Sequence, residues 1–368
     1  MKAYIIVLVI AITFAGIGEY FLKRKNKILG VFNIGISILS LCVVAGVRDL
    51  TIGTDIMYYY YQLFYDFSIK GISLIREMKN ATVEPGFVIL VYITSLLNNV
   101  NVSMGIIEFI SILPIYILAY KLRNKESIVL VIYIYITTMY VRSFNLIRQS
   151  ISMTIVILAA YYFYNKKYKK TIILTFLACS VHISAIISCI IYFIIYLSEY
   201  KTKNKYYWIC LVYAIMIIMV IFSSQLLNLF GGRYARYVTD VNNVSIKSLS
   251  ILKKMFWICI SGYMYLWNLK FHTSNSNQSF VVFNLFVMDF ILFMLSIKIP
   301  NAGRIGYYFI NLGYILFGIN FVKMFKQKKL IGNFVGIIYM IFWVNMTAVV
   351  GTSDSTYPYI SNILKFLN

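Results

Sequence analysis

Charge is scarce in this sequence. Only 12% of the 368 residues are Asp, Glu, Lys or Arg, about half the ~25% usual in soluble domains. Acidic residues are the rarest part, 12 against 34 basic ones. With a mean hydropathy of +0.80, that poverty of charge excludes a soluble enzyme, a disordered chain, a collagen and a coiled coil. Histidine occurs twice, as His182 and His272, too few and too far apart for a His-based metal site. The five cysteines are an odd number, all lie in apolar runs, and none forms a CxxC. They read as small buried hydrophobes. The first apolar run, residues 3–21, leads into Lys23-Arg24-Lys25 without a small-residue cleavage site, so it is expected to stay as a membrane span. There is no soluble domain, low-complexity segment or internal repeat.

What the chain has in abundance is apolar length. Apolar residues make up 61% of it, enough for roughly eleven spans of ~20 residues. The runs are continuous and do not alternate, which argues against a β-barrel. The expected fold is all-α, a single integral membrane domain over residues 1–368 with about 10–13 membrane helices. Candidate spans are 3–21, 28–47, 104–120, 127–141, 146–163, 208–223, 251–267, 280–297, 306–325 and 331–350. The run 87–97 is short for a crossing. The run 171–197 lies between two basic clusters and reads as two short or re-entrant helices turning near His182, in preference to one crossing.

The net charge of +22 could point to nucleic acid, but in a membrane protein basic residues first orient the chain and meet anionic lipid. Five clusters (23–27, 121–125, 166–170, 201–205 and 323–329) hold 18 of the 34 basic residues, and all five are placed on the cytoplasmic side. Sixteen of 25 lysines lie there, but only two of nine arginines. The other seven, Arg48, Arg76, Arg142, Arg148, Arg233, Arg236 and Arg304, fall at or near the outer face. That face is formed by loop 48–86, the turn 142–148, loop 224–250 and segment 298–305. Arginine outside needs a reason other than topology. Its planar fork suits bidentate binding of phosphate or carboxylate, and the competing explanation is snorkelling beside tyrosine.

Several outer motifs could carry chemistry. Arg48, Gly53 and Asp55 precede Tyr58 to Tyr61. Gly53 permits a tight turn presenting Asp55, and the tyrosines are either an aromatic belt or sugar-stacking faces. Glu84-Pro85-Gly86 places a carboxylate at a helix N-terminus. Arg148-Gln149 enters a span from its outer end, where an arginine is costly unless paired or functional. His182 and Ser184 sit at the proposed turn of 171–197, and by themselves read as packing residues or as a site. Arg233-Tyr234-Ala235-Arg236-Tyr237 alternates basic and aromatic residues, suited to a lipid headgroup, a pyrophosphate or a glycan. Arg304 is of the same type. Asp289, in mid-span, is either functional or paired with a neighbouring helix.

In this order on a polytopic chain, Arg48 with Gly53, Asp55 and Tyr58, then Glu84-Pro85-Gly86, Arg148-Gln149, and His182 with Ser184 resemble the EpsG family of exopolysaccharide polymerases. That family belongs with the Wzy-type polymerases of O-antigen and capsule. The likeness covers roughly the first 240 residues and is looser at Arg233, Tyr234 and Tyr237. Ser152 stands where alanine is frequent. The resemblance implies a fold related to lipid-dependent multi-span glycosyltransferases in the bacterial cytoplasmic membrane. It implies joining of undecaprenyl-pyrophosphate-linked oligosaccharide repeat units, without metal or other cofactor and without nucleic acid. Expected partners are that lipid-linked substrate, membrane lipid, a chain-length regulator and a flippase. On this reading Arg148, Arg233, Arg236 and Arg304 stabilise the diphosphate leaving group. Asp55 is the first choice of base, Glu84 the second and His182 the third. Arg48 binds phosphate or holds Asp55, and Gln149, Tyr234 and Tyr237 complete the substrate-binding set. The alternatives are a lipid-linked oligosaccharide flippase or exporter and a multi-span glycan acyltransferase. Ligation of finished polymer to lipid A core shares the chemistry.

Overall fold

The structure, a computed structural model, describes residues 1–77, 83–200, 204–222, 248–271, 273, 275–296, 302–325 and 329–367. Among the described residues every regular element is helical. Among those residues five helices are long and apolar enough to cross a membrane, and five further apolar helices are shorter. The chain is a multi-pass, all-α membrane protein. It packs as two compact units. One comprises residues 1–186 and 326–368, the other 187–325.

The first unit begins with an antiparallel pair, α1 (Lys2–Lys23) and α2 (Lys27–Gly46). At 1.5 Å per residue such helices span about 30 Å, the thickness of a hydrocarbon core. Asn26 caps α2 by accepting from Leu29 N at 3.1 Å. The pair closes on small residues: a Cβ on Gly18 would lie 2.9 Å from the Gly30 carbonyl, the close approach that membrane helices use in place of hydrophobic drive. A π-helical turn, Ile56–Tyr61, leads into α3 (Gln62–Lys70) and the short α4 (Ser73–Glu77). Then come α5 (Pro85–Ser95) and α6 (Val100–Leu122), the latter capped by Asn99. Helix α7 (Ile128–Tyr135) runs through a π turn into α8 (Val141–Ser143). Its first turn is held by Glu19, which accepts from Ser127 Oγ at 2.8 Å and Val129 N at 3.1 Å. A carboxylate there complements the helix dipole.

Helices α9 (Ile147–Tyr164) and α10 (Tyr168–Val181) form the next antiparallel pair. Helix α10 stops at His182, whose backbone is extended, and a 3₁₀ turn (Ile183–Ile187) precedes α11 (Ser188–Glu199). The run 171–197 is therefore two short helices with a break at His182.

These pairings sort the ends of the helices in the first unit. Lysine-rich segments 23–27, 121–125 and 166–170 cluster at one end. Arg48, Glu84, Arg148 and His182 belong to the other, at the C-terminal ends of α2 and α10 and the N-terminal ends of α5 and α9. Within the first unit, Arg48 and Arg148 lie at the ends opposite these lysine clusters.

The second unit holds α11, α12 (Asn204–Ile221), α13 (Ser248–Lys270), α14 (Ser276–Leu295), a 3₁₀ turn (Ala302–Gly306) and α15 (Tyr307–Met324). Its core is aromatic: Trp257 stacks on Phe286 at 5.4 Å and meets Tyr314 and Phe317 edge-on. Buried Asp289 pairs with Lys254 of the neighbouring helix. That accounts for a charge in mid-span by pairing. The chain returns to the first unit through α16 (Lys329–Asn345), a π turn and α17 (Gly351–Ser353).

Candidate active site

Glu84, Pro85 and Gly86 each do something different at the start of α5. Glu84 is the N-cap in extended conformation, and Pro85 occupies the first helical position, where its missing N–H costs nothing. Gly86 lies against the end of α10: a Cβ there would sit 2.5 Å from Ser180 Oγ and 2.7 Å from the Ser180 carbonyl. Only glycine lets α5 approach so closely, and that approach carries Glu84 to the residue that ends α10.

That residue is His182. Its Nδ1 is 2.9 Å from Glu84 Oε1, and Ile183 N donates to the same oxygen at 3.3 Å. The other carboxylate oxygen, Oε2, accepts from Arg148 Nη1 at 2.8 Å. Arg148, in the first turn of α9, lies 4.9 Å above the Tyr59 ring and 6.0 Å from that of Phe87. Three motifs separated by 64 and 34 residues are thus joined through one carboxylate. The trio is not sealed: side-chain exposure is 16% for Glu84, 17% for Arg148 and 24% for His182.

Glu84 lies outside the spanning helices. Burial pushes its pKa up, but the hydrogen bond with His182 and the positive charges of His182 and Arg148 outweigh burial, and the net result is a fall to about 2. Glu84 is therefore an anion near neutral pH. An ionised carboxylate only accepts hydrogen bonds, so Nδ1 of His182 is the donor to Glu84, and proton exchange with any other group falls to Nε2.

The depressed pKa has a stability consequence. The folded value lies below the ordinary 4.5 of the unfolded chain. The carboxylate's stabilisation is then present above about pH 4.5 and lost as pH falls through about 2. Glu84→Gln removes the titrating group. In detergent, the thermal midpoint of the wild type is expected to fall more steeply than that of the variant between about pH 5 and pH 2. Equal slopes would show that Glu84 ionisation is not coupled to folding.

The first outer-loop motif joins the same cluster. Gly53 has φ +91°, and a Cβ there would stand 2.2 Å from the Phe144 carbonyl oxygen, so no other residue fits. Asn145 Oδ1 accepts from Thr54 Oγ1 at 2.7 Å and from Asp55 N at 3.3 Å. The Gly53–Asp55 turn is thereby docked three residues ahead of Arg148, and the π turn that follows supplies Tyr59 beneath the guanidinium. Asp55 itself is partly exposed.

A family model described as the EpsG family matches residues 31–361. The chain belongs to the EpsG family. The match runs past the first 240 residues, through both units. No curated protein and no solved structure matches the chain. Family membership gives this multi-pass EpsG-family protein a polysaccharide-polymerase-like role.

The remaining expected site residues divide by location. Arg48 is 4% exposed, with its guanidinium 4.2 Å above the Phe144 ring. It sits in the interior behind the Asp55 turn. Gln149 is buried on α9. Arg304 belongs to the second unit, on the 3₁₀ turn whose Gly306 packs against Asp289. Arg233, Tyr234, Arg236 and Tyr237 lie outside the described residues.

Four residues of this EpsG-family chain lie outside the expected site set. Asn145 looks like no more than a neighbour of the Arg148 motif, yet it docks the Asp55 turn. Gly86 is the spacer that allows the Glu84–His182 contact. Ser152 Oγ donates to the Ala178 carbonyl at 2.9 Å, the same oxygen that receives the His182 backbone N–H. The fourth is Glu108, a carboxylate in the middle of α6 that is 4% exposed. For Glu108 there is a readable signal, an ionisable residue inside an apolar run.

Proposed function

We propose that this protein joins undecaprenyl-pyrophosphate-linked oligosaccharide repeat units into a surface polysaccharide at the outer face of the bacterial cytoplasmic membrane. The observation that carries the reading is the Arg148–Glu84–His182 cluster, assembled from separate motifs at the arginine-bearing ends of the helices in a member of the EpsG family.

The chemistry divides among these residues as follows. A hydroxyl of the incoming lipid-linked unit attacks the anomeric carbon of the growing chain. A new glycosidic bond forms, the bond from that carbon to the pyrophosphate breaks, and lipid pyrophosphate leaves with the electron pair. His182 Nε2 takes the hydroxyl proton. With a pKa of about 2, Glu84 is too weak a base for this step. It holds the imidazole through Nδ1 instead, so the base is assigned to His182 ahead of Glu84. Arg148 uses one N–H on Glu84 and turns the rest of its fork to the leaving diphosphate. Arg233, Arg236 and Arg304, with Tyr234 and Tyr237, are the remaining candidates for binding the lipid-linked substrate. Asp55, on its docked turn, binds hydroxyls of the acceptor sugar.

Deletion of the gene tests the reaction class. The expected result is single repeat units on the cell surface where the parent strain carries long chains, restored by the wild-type gene. Loss of all surface glycan with lipid-linked units trapped inside would make the protein a flippase. Normal chain length lacking acetyl groups would make it an acyltransferase.

A further inference from the structure

Glu108 and Arg48 belong to one buried polar group that the polymerase chemistry does not use. Glu108 lies on α6 among apolar neighbours. Ser143 Oγ is 3.0 Å from both of its carboxylate oxygens, and Tyr135 donates from 3.5 Å. Arg48 is equally buried, and its Nε and Nη1 have no protein hydrogen-bond partner; nor has Ser111 Oγ. These groups line a common cavity with Tyr60 and Ser143, about 10 Å³ in volume. That is room for about one water. Arg48 and Glu108 thus face one cavity from the end of α2 and the middle of α6.

The consequence lies in three consecutive residues. Ser143 bonds to Glu108. Phe144 lies under the Arg48 guanidinium, and its carbonyl forms the seat of Gly53. Asn145 holds Thr54 and Asp55. Helix α9, with Arg148 in its first turn, starts directly afterwards. An isolated charge on either side of the cavity would be costly, whereas a neutral pair of similar volume would not be.

We propose that Glu108 and Arg48 form a water-bridged buried ion pair that positions the 143–145 turn, and through it both the Asp55 loop and Arg148. Both are positioning residues. The activity part of this inference rests on the polymerase reading; the pairing itself does not.

The test compares Glu108→Gln, Arg48→Met and the double variant in the full-length protein. Three quantities are measured: the level in membranes, the thermal midpoint in detergent, and polymer formed per unit of protein. Each single change is expected to lower the midpoint and to cut polymer by at least about tenfold, because it leaves one buried charge alone. The double variant is expected to regain the wild-type midpoint and polymer within about threefold, since no charge is left unpaired. In the purified single variants the loss lies in kcat, with KM for the lipid-linked unit little changed. If a single variant is absent from membranes, its return in the double variant is the supporting result. Wild-type midpoints in both single variants, or a double variant no better than the singles, would overturn the pair. A double variant with a restored midpoint and no polymer would overturn the positioning role and make Arg48 a substrate ligand. Should the protein prove not to be a polymerase, the midpoints and membrane levels still decide the pairing.

Discussion

Arg148→Ala is expected to reduce polymer by at least about a hundredfold at unchanged protein level, the range seen when one preorganised donor to developing charge is removed. Two effects add. The leaving diphosphate loses a fork aimed at it. Glu84 also loses the partner 2.8 Å from Oε2, leaving a half-buried carboxylate with His182 and the Ile183 amide alone. Arg148→Lys separates the two effects. It keeps the charge that Glu84 needs but not the planar fork, and is expected to lose about tenfold. Chain length on gels, normalised to the protein in membranes, is the measurement. Full-length polymer from Arg148→Ala cells would remove Arg148 from the mechanism.

The second large effect is expected at His182. Loss of a general base costs about a hundredfold to ten-thousandfold, and His182→Gln should fall in that range with little change in KM. Glu84→Gln is expected to lose less, because the imidazole is still present but no longer oriented by an anion. The decisive measurement is the double variant. Since Glu84 acts through His182, the double change should be no worse than His182→Gln alone, the non-additivity of groups that work as a unit. Losses that multiply would mean that Glu84 acts independently of His182. Undiminished turnover in His182→Gln would return the base to Asp55.

Part of the site is legible in the sequence. Glu84, Arg148 and His182 stand out because a carboxylate at a helix start, an arginine entering a span and a histidine between two apolar runs are each unusual in a chain so poor in charge. Their common location is not legible, because nothing in local spacing says that α5 rests on the end of α10. Gly86 decides that contact, and a glycine after a proline looks like ordinary helix-start punctuation. The order of preference among the bases also depends on the fold. Glu84 looks suited to proton transfer when its two cationic neighbours are left out, since the charge of a carboxylate depends on what faces it. Arg48 lies in the interior and not at the expected surface for a similar reason: a residue next to a span end can turn outward or inward, and the choice depends on whether a counter-charge such as Glu108 is present on another helix.

By itself the sequence determined the solvent and the secondary structure of this protein. Long apolar runs with few charges can satisfy their backbone in a bilayer only as helices. These are properties of composition and local order, and they need no long-range contact to be true. The tertiary structure alone decided which side chains share a carboxylate, which turn holds Asp55, and which arginine is buried. Those outcomes depend on how closely helices far apart in the chain can approach one another. That approach is set by single residues, Gly53 against Phe144 and Gly86 against Ser180, whose importance shows only once the partner surface is in place.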